Sequence, residues 1–262
     1  MNDFPADWQV PAFTLTEIRP KRTKYCVCVP IINEGERIKR QLALMRPLAE
    51  TADILILDGG STDGSTDRTF LEANGVRALL VKTGPGKLSA QLRMGYAYAL
   101  QEGYEGVITV DGNGKDGVEA IPDFAKTLDE GYDYVQGSRF VPGGRAVRTP
   151  TSRLWAIRLV HAPLISLGAR RWLTDTTNGF RGYSRRYLID PRVRPFRDVF
   201  STYELLGYLS VRAGQLGLRV REIPVLRQYP ESGEVPTKIS HVRGNASLVA
   251  TVFKTLAGRY SP

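Results

Sequence analysis

Long apolar runs, histidine and cysteine are all scarce in this chain. No window approaches the roughly 18 apolar residues of a membrane span, and the acidic start MNDFPADWQVPAF has no apolar core of the signal-peptide kind. The two cysteines, Cys26 and Cys28, both lie in YCVCVPII. On a strand they would share a face but project side by side along it, which disfavours a disulfide, and no metal-ligand spacing accompanies them. A reducing, cytoplasmic setting fits, with the chain soluble or peripheral on the cytoplasmic membrane face. His161 and His241 stand apart from any partner motif, so a structural role is expected for both. There are no repeats and no low-complexity tracts. Lysine is missing from the whole stretch Arg139–Arg197, where thirteen arginines meet two acids, Asp175 and Asp190. That segment carries 13 − 2 = +11 against +9 for the chain, leaving about −2 elsewhere. Arginine forks suit phosphate or carboxylate. A solvated basic face and a nucleic-acid surface are the other readings of the same charge. The aromatic residues of this stretch are not read as a stacking platform for bases, so no nucleic-acid partner is expected.

What is present is enough for one good core: 262 residues, 42% of them hydrophobic. Residues 1–24 read as an N-terminal extension. Apolar runs then alternate with helical patterns. Strands are expected at Tyr25–Ile32, Asp53–Asp58, Arg77–Lys82, Gly106–Asp111 and Tyr132–Ser138. Helices are expected at Glu36–Leu48, Thr66–Asn74, Leu88–Glu102 and Val118–Glu130. Such alternation predicts an α/β fold with a mainly parallel, Rossmann-like sheet covered on both faces. After Ser138 the rhythm fades into the loop VPGGRAVRTP, a helical stretch Ser152–Leu167, the turn-rich TDTTNGFRGYS, a helix Ser201–Ala213, a late strand LRVREIPV and a helically spaced tail Asn245–Leu256. The single domain therefore divides into a first half, 25–138, and a second half, 139–262.

Ligands of open parallel sheets collect at the carboxyl ends of the strands. Four runs here finish at that edge in polar or turn residues: Pro30, Asn33 and Glu34 after the first, Asp58 and GGSTDGSTD after the second, Asp111 after the fourth, GSRF after the fifth. In LDGGSTDGSTD the glycines permit close backbone approach. Ser61, Thr62 and Asp63 suit a helix cap, and Asp58 is placed either to shape the turn or to accept hydrogen bonds from a base or ribose. In ITVDGNGKDG, Asp111 with an oxygen donor two residues later at Asn113 suits a hard divalent cation bridging a diphosphate; an Asx-type turn is the plainer alternative.

Taken in order, these blocks resemble the inverting glycosyltransferases of family 2, with the GT-A fold, and within them the dolichol-phosphate mannose synthase type. VPIINEGERI is similar to that family's first donor loop, LDGGSTDGSTD to its VDDGSTDGT, TVDGNGKDGVEAIPDF to its DXD-bearing segment and YVQGSRFVPGG to its acceptor-side signature, with TDTTNGFRGYS and LRVREIPV as later blocks. The likeness runs from about Tyr25 to Ser240. It implies transfer of a sugar from a UDP-, GDP- or dTDP-linked donor to a polyprenyl phosphate at a membrane surface, with a hydroxyl acceptor as the alternative. The first half would bind nucleotide sugar and the second half acceptor. Pro30, Glu34 and Asp58 would hold base and ribose, and Asp111 and Lys115 the donor diphosphate. Arg139 and Arg153 would receive the acceptor phosphate, and Lys238 would lie near the diphosphate end. Asp111 and Asn113 would hold Mg²⁺ or Mn²⁺. Three positions depart from the family pattern: Asn113 replaces the second DXD acid, Lys115 stands where glutamine is common, and Gly59 replaces the second acid of the DD pair. The neutral Asn113 should hold a metal less tightly, with Lys115 sharing its electrostatic task and the donor's phosphates completing the site. Asp111, Arg139 and Arg153 are the expected catalytic set. A hydroxyl acceptor would need a general base, for which Glu204 and Asp175 are candidates. The mixed apolar and basic stretch Ser152–Trp172 is placed to meet an anionic bilayer, or to form a core helix with a basic rim.

Overall fold

The computed structural model describes residues 4–231, 253–255, 257–260 and 262. Its strands are β1 (Phe13–Glu17), β2 (Tyr25–Ile31), β3 (Asp53–Asp58), β4 (Val76–Lys82), β5 (Gly106–Thr109), β6 (Tyr134–Ser138), β7 (Arg145–Val147), β8 (Arg181–Ser184), β9 (Val220–Pro224) and β10 (Leu226–Gln228). Eight of them form one sheet in the order β1-β4-β3-β2-β5-β8-β6-β9, and β10 pairs with β7 apart from it.

β2 and β3 are buried along their whole length, as strands covered on both faces must be. The period-2 alternation divides their side chains cleanly. Cys26, Cys28, Leu55 and Leu57 face one core, filled by the buried helix α3 (Leu88–Gln101) and by α8 (Glu204–Gln215). Val27, Val29, Ile54 and Ile56 face the other, with α1 (Glu36–Met45), α2 (Arg68–Ala73) and α4 (Ile121–Asp129). Both cysteines are buried free thiols on the same face. β2, β3, β4 and β5 run parallel, in line with the expected crossover units.

Four strands were not expected from the sequence: β1, β8, and the short pair β7 and β10, of which β7 lies inside the loop VPGGRAVRTP. Within residues 1–24, β1 adds an antiparallel edge to β4, and Trp8 stacks on Phe196 with ring centroids 4.0 Å apart. Inside TDTTNGFRGYS, β8 wedges antiparallel between β5 and β6. The carboxyl ends of β5 and β6 therefore flank the start of β8.

The helical stretch Ser152–Leu167 is a run of α5 (Thr151–Ala156), a π-helical segment (Ile157–His161) and α6 (Ala162–Ala169). The π segment precedes Pro163, which has no N–H to offer the preceding turn. His161 lies here half-buried, its pKa lowered by burial and by Arg153, so it is held neutral. A short helix, α7 (Arg185–Leu188), follows β8. Lys238, His241 and nearly all of the expected helix Asn245–Leu256 fall outside the described residues.

Candidate active site

The ends of β2, β3 and β5 are tied together by backbone and by one helix side chain. Gly59 N donates to Ile31 O (2.9 Å), and Gly112 N to Pro30 O (3.3 Å). From α3, Gln91 Nε2 donates to both Ile31 O (2.9 Å) and Leu57 O (3.0 Å). Gly112 admits no side chain, since a Cβ there would lie 2.4 Å from Ile31 Cγ2. The first two loops are laced through Asn33: its Oδ1 accepts from Thr62 N (2.8 Å) and its N–H donates to Ser61 Oγ (2.9 Å). Glu34 is nearly buried and pairs with Arg37 at 2.9 Å. The Asp58 carboxylate is turned into its own loop, accepting from Gly60 N and Ser61 N, each at 2.9 Å. Its first task is thus to shape the LDGGS turn.

The centre of the site lies where Asp111 leaves β5. Its Oδ2 accepts from Arg227 Nη2 (3.1 Å) and Asn113 Nδ2 (3.4 Å). Gly179 lies so close that a Cβ on it would stand 2.6 Å from Asp111 Oδ1. Arg227, buried on β10, donates through Nη1 to both oxygens of Asp116 (2.6 Å each) and to Asn178 Oδ1 (3.3 Å). The backbone around it is equally engaged: Gly117 N donates to Leu226 O and Gln228 N to Lys115 O. Burial alone would raise the pKa of Asp111, but Arg227 and Lys115 hold it below the usual carboxylate range. Burial raises that of Asp116, with Asp111 adding to the effect against the pull of Arg227. Lys115 is pulled down to about 8, by burial first and by Arg227 next. Its Nζ lies 5.2 Å from the Tyr229 ring centroid, and the Arg153 guanidinium, from α5, lies 6.0 Å from the same ring. Lys115, Arg153 and Tyr229 therefore meet beside Asp111.

Arg139 is differently placed. It is 4% exposed and forks onto Asp175, with Nε to Oδ2 at 2.6 Å and Nη2 to Oδ1 at 2.8 Å, and a further bond to Thr177 Oγ1. Its Nη1 donates to no described residue. One loop, between α6 and β8, carries Asp175 against Arg139 and Gly179 against Asp111, so the two sites are joined by a few residues of backbone. Other arginines of the basic segment also have structural partners. Arg181 donates to Asn178 O, Thr176 O and Ser210 Oγ, Arg185 to Leu100 O, and Arg171 to Val220 O. The segment is therefore not a single anion receptor.

Arg227, Asp116, Gly179 and Gln91 were not singled out by sequence reasoning. For Arg227 the available signal was a lone cation in a late strand, facing an acid-bearing loop more than a hundred residues away. Among the described residues no three His, Cys, Asp or Glu side chains are grouped to hold a metal. Asp111 and Asn113 supply two side chains, with three oxygens at most, toward the six or more that a hard cation takes. They fit a divalent ion whose remaining ligands come from a bound phosphate and water.

Residues 26–190 match the model of Glycosyl transferase family 2, well over half of the chain. The chain belongs to that family. It is a glycosyltransferase. Among curated proteins, this family 2 chain is 32% identical over 218 residues to the undecaprenyl-phosphate mannosyltransferase of Micrococcus luteus, covering 79% of this chain and 84% of that one. It is 27% identical to the polyprenol monophosphomannose synthase of Mycolicibacterium smegmatis, over 86% and 85% of the two chains. Among solved structures it is similar to glucosyl-3-phosphoglycerate synthase from Mycobacterium tuberculosis, crystallised with Mn²⁺, UDP and glucosyl-3-phosphoglycerate. The TM-score there is 0.62 at 18% identity, covering 90% of this chain and 80% of that one. The family 2 glycosyltransferase thus has the GT-A fold.

Proposed function

We propose that this glycosyltransferase moves a sugar, with inversion, from a nucleoside-diphosphate sugar to a polyprenyl phosphate at a membrane surface. The observation that carries this is the meeting of Arg153 with Lys115 and Tyr229 beside Asp111: a guanidinium suited to a second anion stands next to the carboxylate loop suited to a diphosphate. The names of the relatives, an undecaprenyl-phosphate mannosyltransferase and a polyprenol monophosphomannose synthase, support the same acceptor class.

Pro30, Glu34 and the loop shaped by Asp58 form the nucleoside end, and Asp111 with Lys115 the diphosphate end. Negative charge grows on the leaving phosphate as the glycosidic bond breaks, and the Lys115 ammonium is placed to stabilise it. A divalent ion, Mg²⁺ or Mn²⁺, would be held by Asp111 and Asn113 and would supply further charge neutralisation there. A phosphate monoester is already anionic at neutral pH, so the acceptor needs orientation rather than a base. Arg153 provides that orientation. Arg139, locked on Asp175, braces the loop that carries Gly179 and offers Nη1 to the acceptor.

A hydroxyl acceptor would need a general base, and both candidates are occupied. Asp175 is bound by Arg139, and Glu204 accepts from Thr202 N (2.8 Å) at the start of its own helix. On the helical run and its exit, Trp155, Leu159, Leu167 and Trp172 are exposed, alongside exposed Arg158, Arg170 and Arg171. Apolar side chains mixed with cations suit an anionic bilayer surface. Among the described residues no helix is long and apolar enough to cross a membrane.

The test is Arg153→Ala. Transfer to polyprenyl phosphate should fall at least a hundredfold, while thermal shifts with UDP, GDP and dTDP, which also identify the base, stay as in the wild type. Undiminished transfer by this variant would overturn the acceptor assignment.

A further inference from the structure

The Asp111–Asp116 pair contains its own counter-charge. Arg227 forks across both carboxylates, 3.1 Å from Asp111 Oδ2 and 2.6 Å from each Asp116 oxygen, from a fully engaged position between β7 and the 115–117 loop. With Lys115 also present, two anions meet two cations among the described residues, and Arg153 adds a further cation within electrostatic reach of Lys115. The oxygens a metal would use are partly taken as well. Asp111 Oδ2 accepts from Arg227 and Asn113, and Asn113 Oδ1 accepts from Lys115 N (3.3 Å). Asp111 Oδ1, beside Gly179, accepts no hydrogen bond from a described residue. A dication entering alone meets no net negative charge and at most two protein side chains, and must give up hydration to do so. A nucleoside diphosphate changes both conditions, since it brings negative charge and two or more oxygens.

We infer that Arg227 is a resident counter-cation that keeps divalent metal out of the empty site, so that the metal enters only together with the donor's diphosphate. This rests on the nucleotide-sugar reading for the identity of the diphosphate, but the exclusion of metal from the free chain does not. Arg227 acts through Asp111 and Asp116, and is a positioning residue.

Mn²⁺ titrations followed by electron paramagnetic resonance test it on the full chain. Wild type should show no binding below millimolar Mn²⁺ without nucleotide, and at least tenfold tighter binding once UDP or GDP is saturating. Arg227→Gln removes the cation that lies against both carboxylates and should bind Mn²⁺ at least tenfold more tightly than wild type with no nucleotide present. Arg227→Lys keeps the charge and should exclude the metal as wild type does. Tight Mn²⁺ binding by nucleotide-free wild type overturns the inference whether or not the variants fold. So does an Arg227→Gln variant, folded by circular dichroism, that excludes Mn²⁺ equally well. If the Arg227 effect on free-site Mn²⁺ is seen but no nucleotide shifts the melting temperature, the donor assignment fails and the metal-exclusion role stands.

Discussion

Replacing Gly179 with alanine would push a methyl group into the carboxylate on which the site is built. The new Cβ would stand 2.6 Å from Asp111 Oδ1, 3.0 Å from Cγ and 3.2 Å from Oδ2, whereas ordinary van der Waals contact begins near 3.4 Å. Gly179 does not have a left-handed backbone, so alanine is conformationally acceptable there and the clash is the whole effect. Asp111 has little freedom to retreat. Its Oδ2 is held by buried Arg227, and the next residue, Gly112, is pressed against Pro30 and Ile31. Relief requires most of an ångström of movement by Asp111 or by the loop. Overpacking of this kind costs about 1–3 kcal/mol of stability, or a melting temperature lower by about 3–10 °C in a chain of this size. Misplacement of a reacting group by about 1 Å costs on the order of 10²-fold in rate. The assay pairs a melting curve with transfer of radiolabelled sugar to polyprenyl phosphate. A variant with wild-type rate and wild-type melting would show that Asp111 does not occupy this position, or does not need it.

Asp175→Asn leaves the Arg139 guanidinium buried against a neutral partner, and breaking a buried pair from one side costs about 3–5 kcal/mol. A melting temperature within a degree of wild type would contradict the pairing. Glu204→Gln should keep kcat within about threefold, against the 10²–10⁴ expected for loss of a general base. Lys115→Met should stabilise the chain at pH 7. Lys115 titrates near 8 in the folded state, below the usual 10.5, so its burial penalty is complete below pH 8 and fades as pH rises to 10.5. The stabilisation should therefore shrink over that interval, while transfer at pH 7 falls. A melting difference that does not vary between pH 7 and 10.5 would refute the burial of the charged form. Chelation with EDTA should lower transfer, and added Mn²⁺ or Mg²⁺ should restore it; an unchanged rate counts against any metal role.

The first half of the sheet was legible because its signal is local. β2 is apolar throughout and β3 is apolar between its terminal aspartates, and the crossover helices follow as separate segments. β8 was hidden because RGYS is short, and its buried arginine finds its partners in loop carbonyls that no local pattern reveals. β1 sits at an edge, half-exposed, where alternation is weak. The loops holding Pro30, Asp58 and Asp111 could be placed at the sheet edge from strand ends alone. What each carboxylate touches could not. Asp58 turns inward to its own amides, and Asp111 meets a guanidinium from residue 227. The arginine-rich segment misleads for the same reason: charge counts record cations, and partners are set by tertiary contacts such as that of Arg139 with Asp175.

The chain leaves the sheet at Ser138 and passes the same point again at Thr174, before re-entering it at Arg181; the Ser138 and Thr174 hydroxyls are 2.6 Å apart. The segment between them carries α5, α6 and the exposed tryptophans out from a narrow neck, and is tied back to the fold through β7, paired with β10, and through Ile165, Ala169 and Leu173 in the core. Doubling the length of such a loop costs only about 0.6 kcal/mol in closure entropy. Recombination could therefore enlarge this segment at its exposed end, and so alter the proposed acceptor surface, while the ends of β2, β3 and β5 are inherited intact.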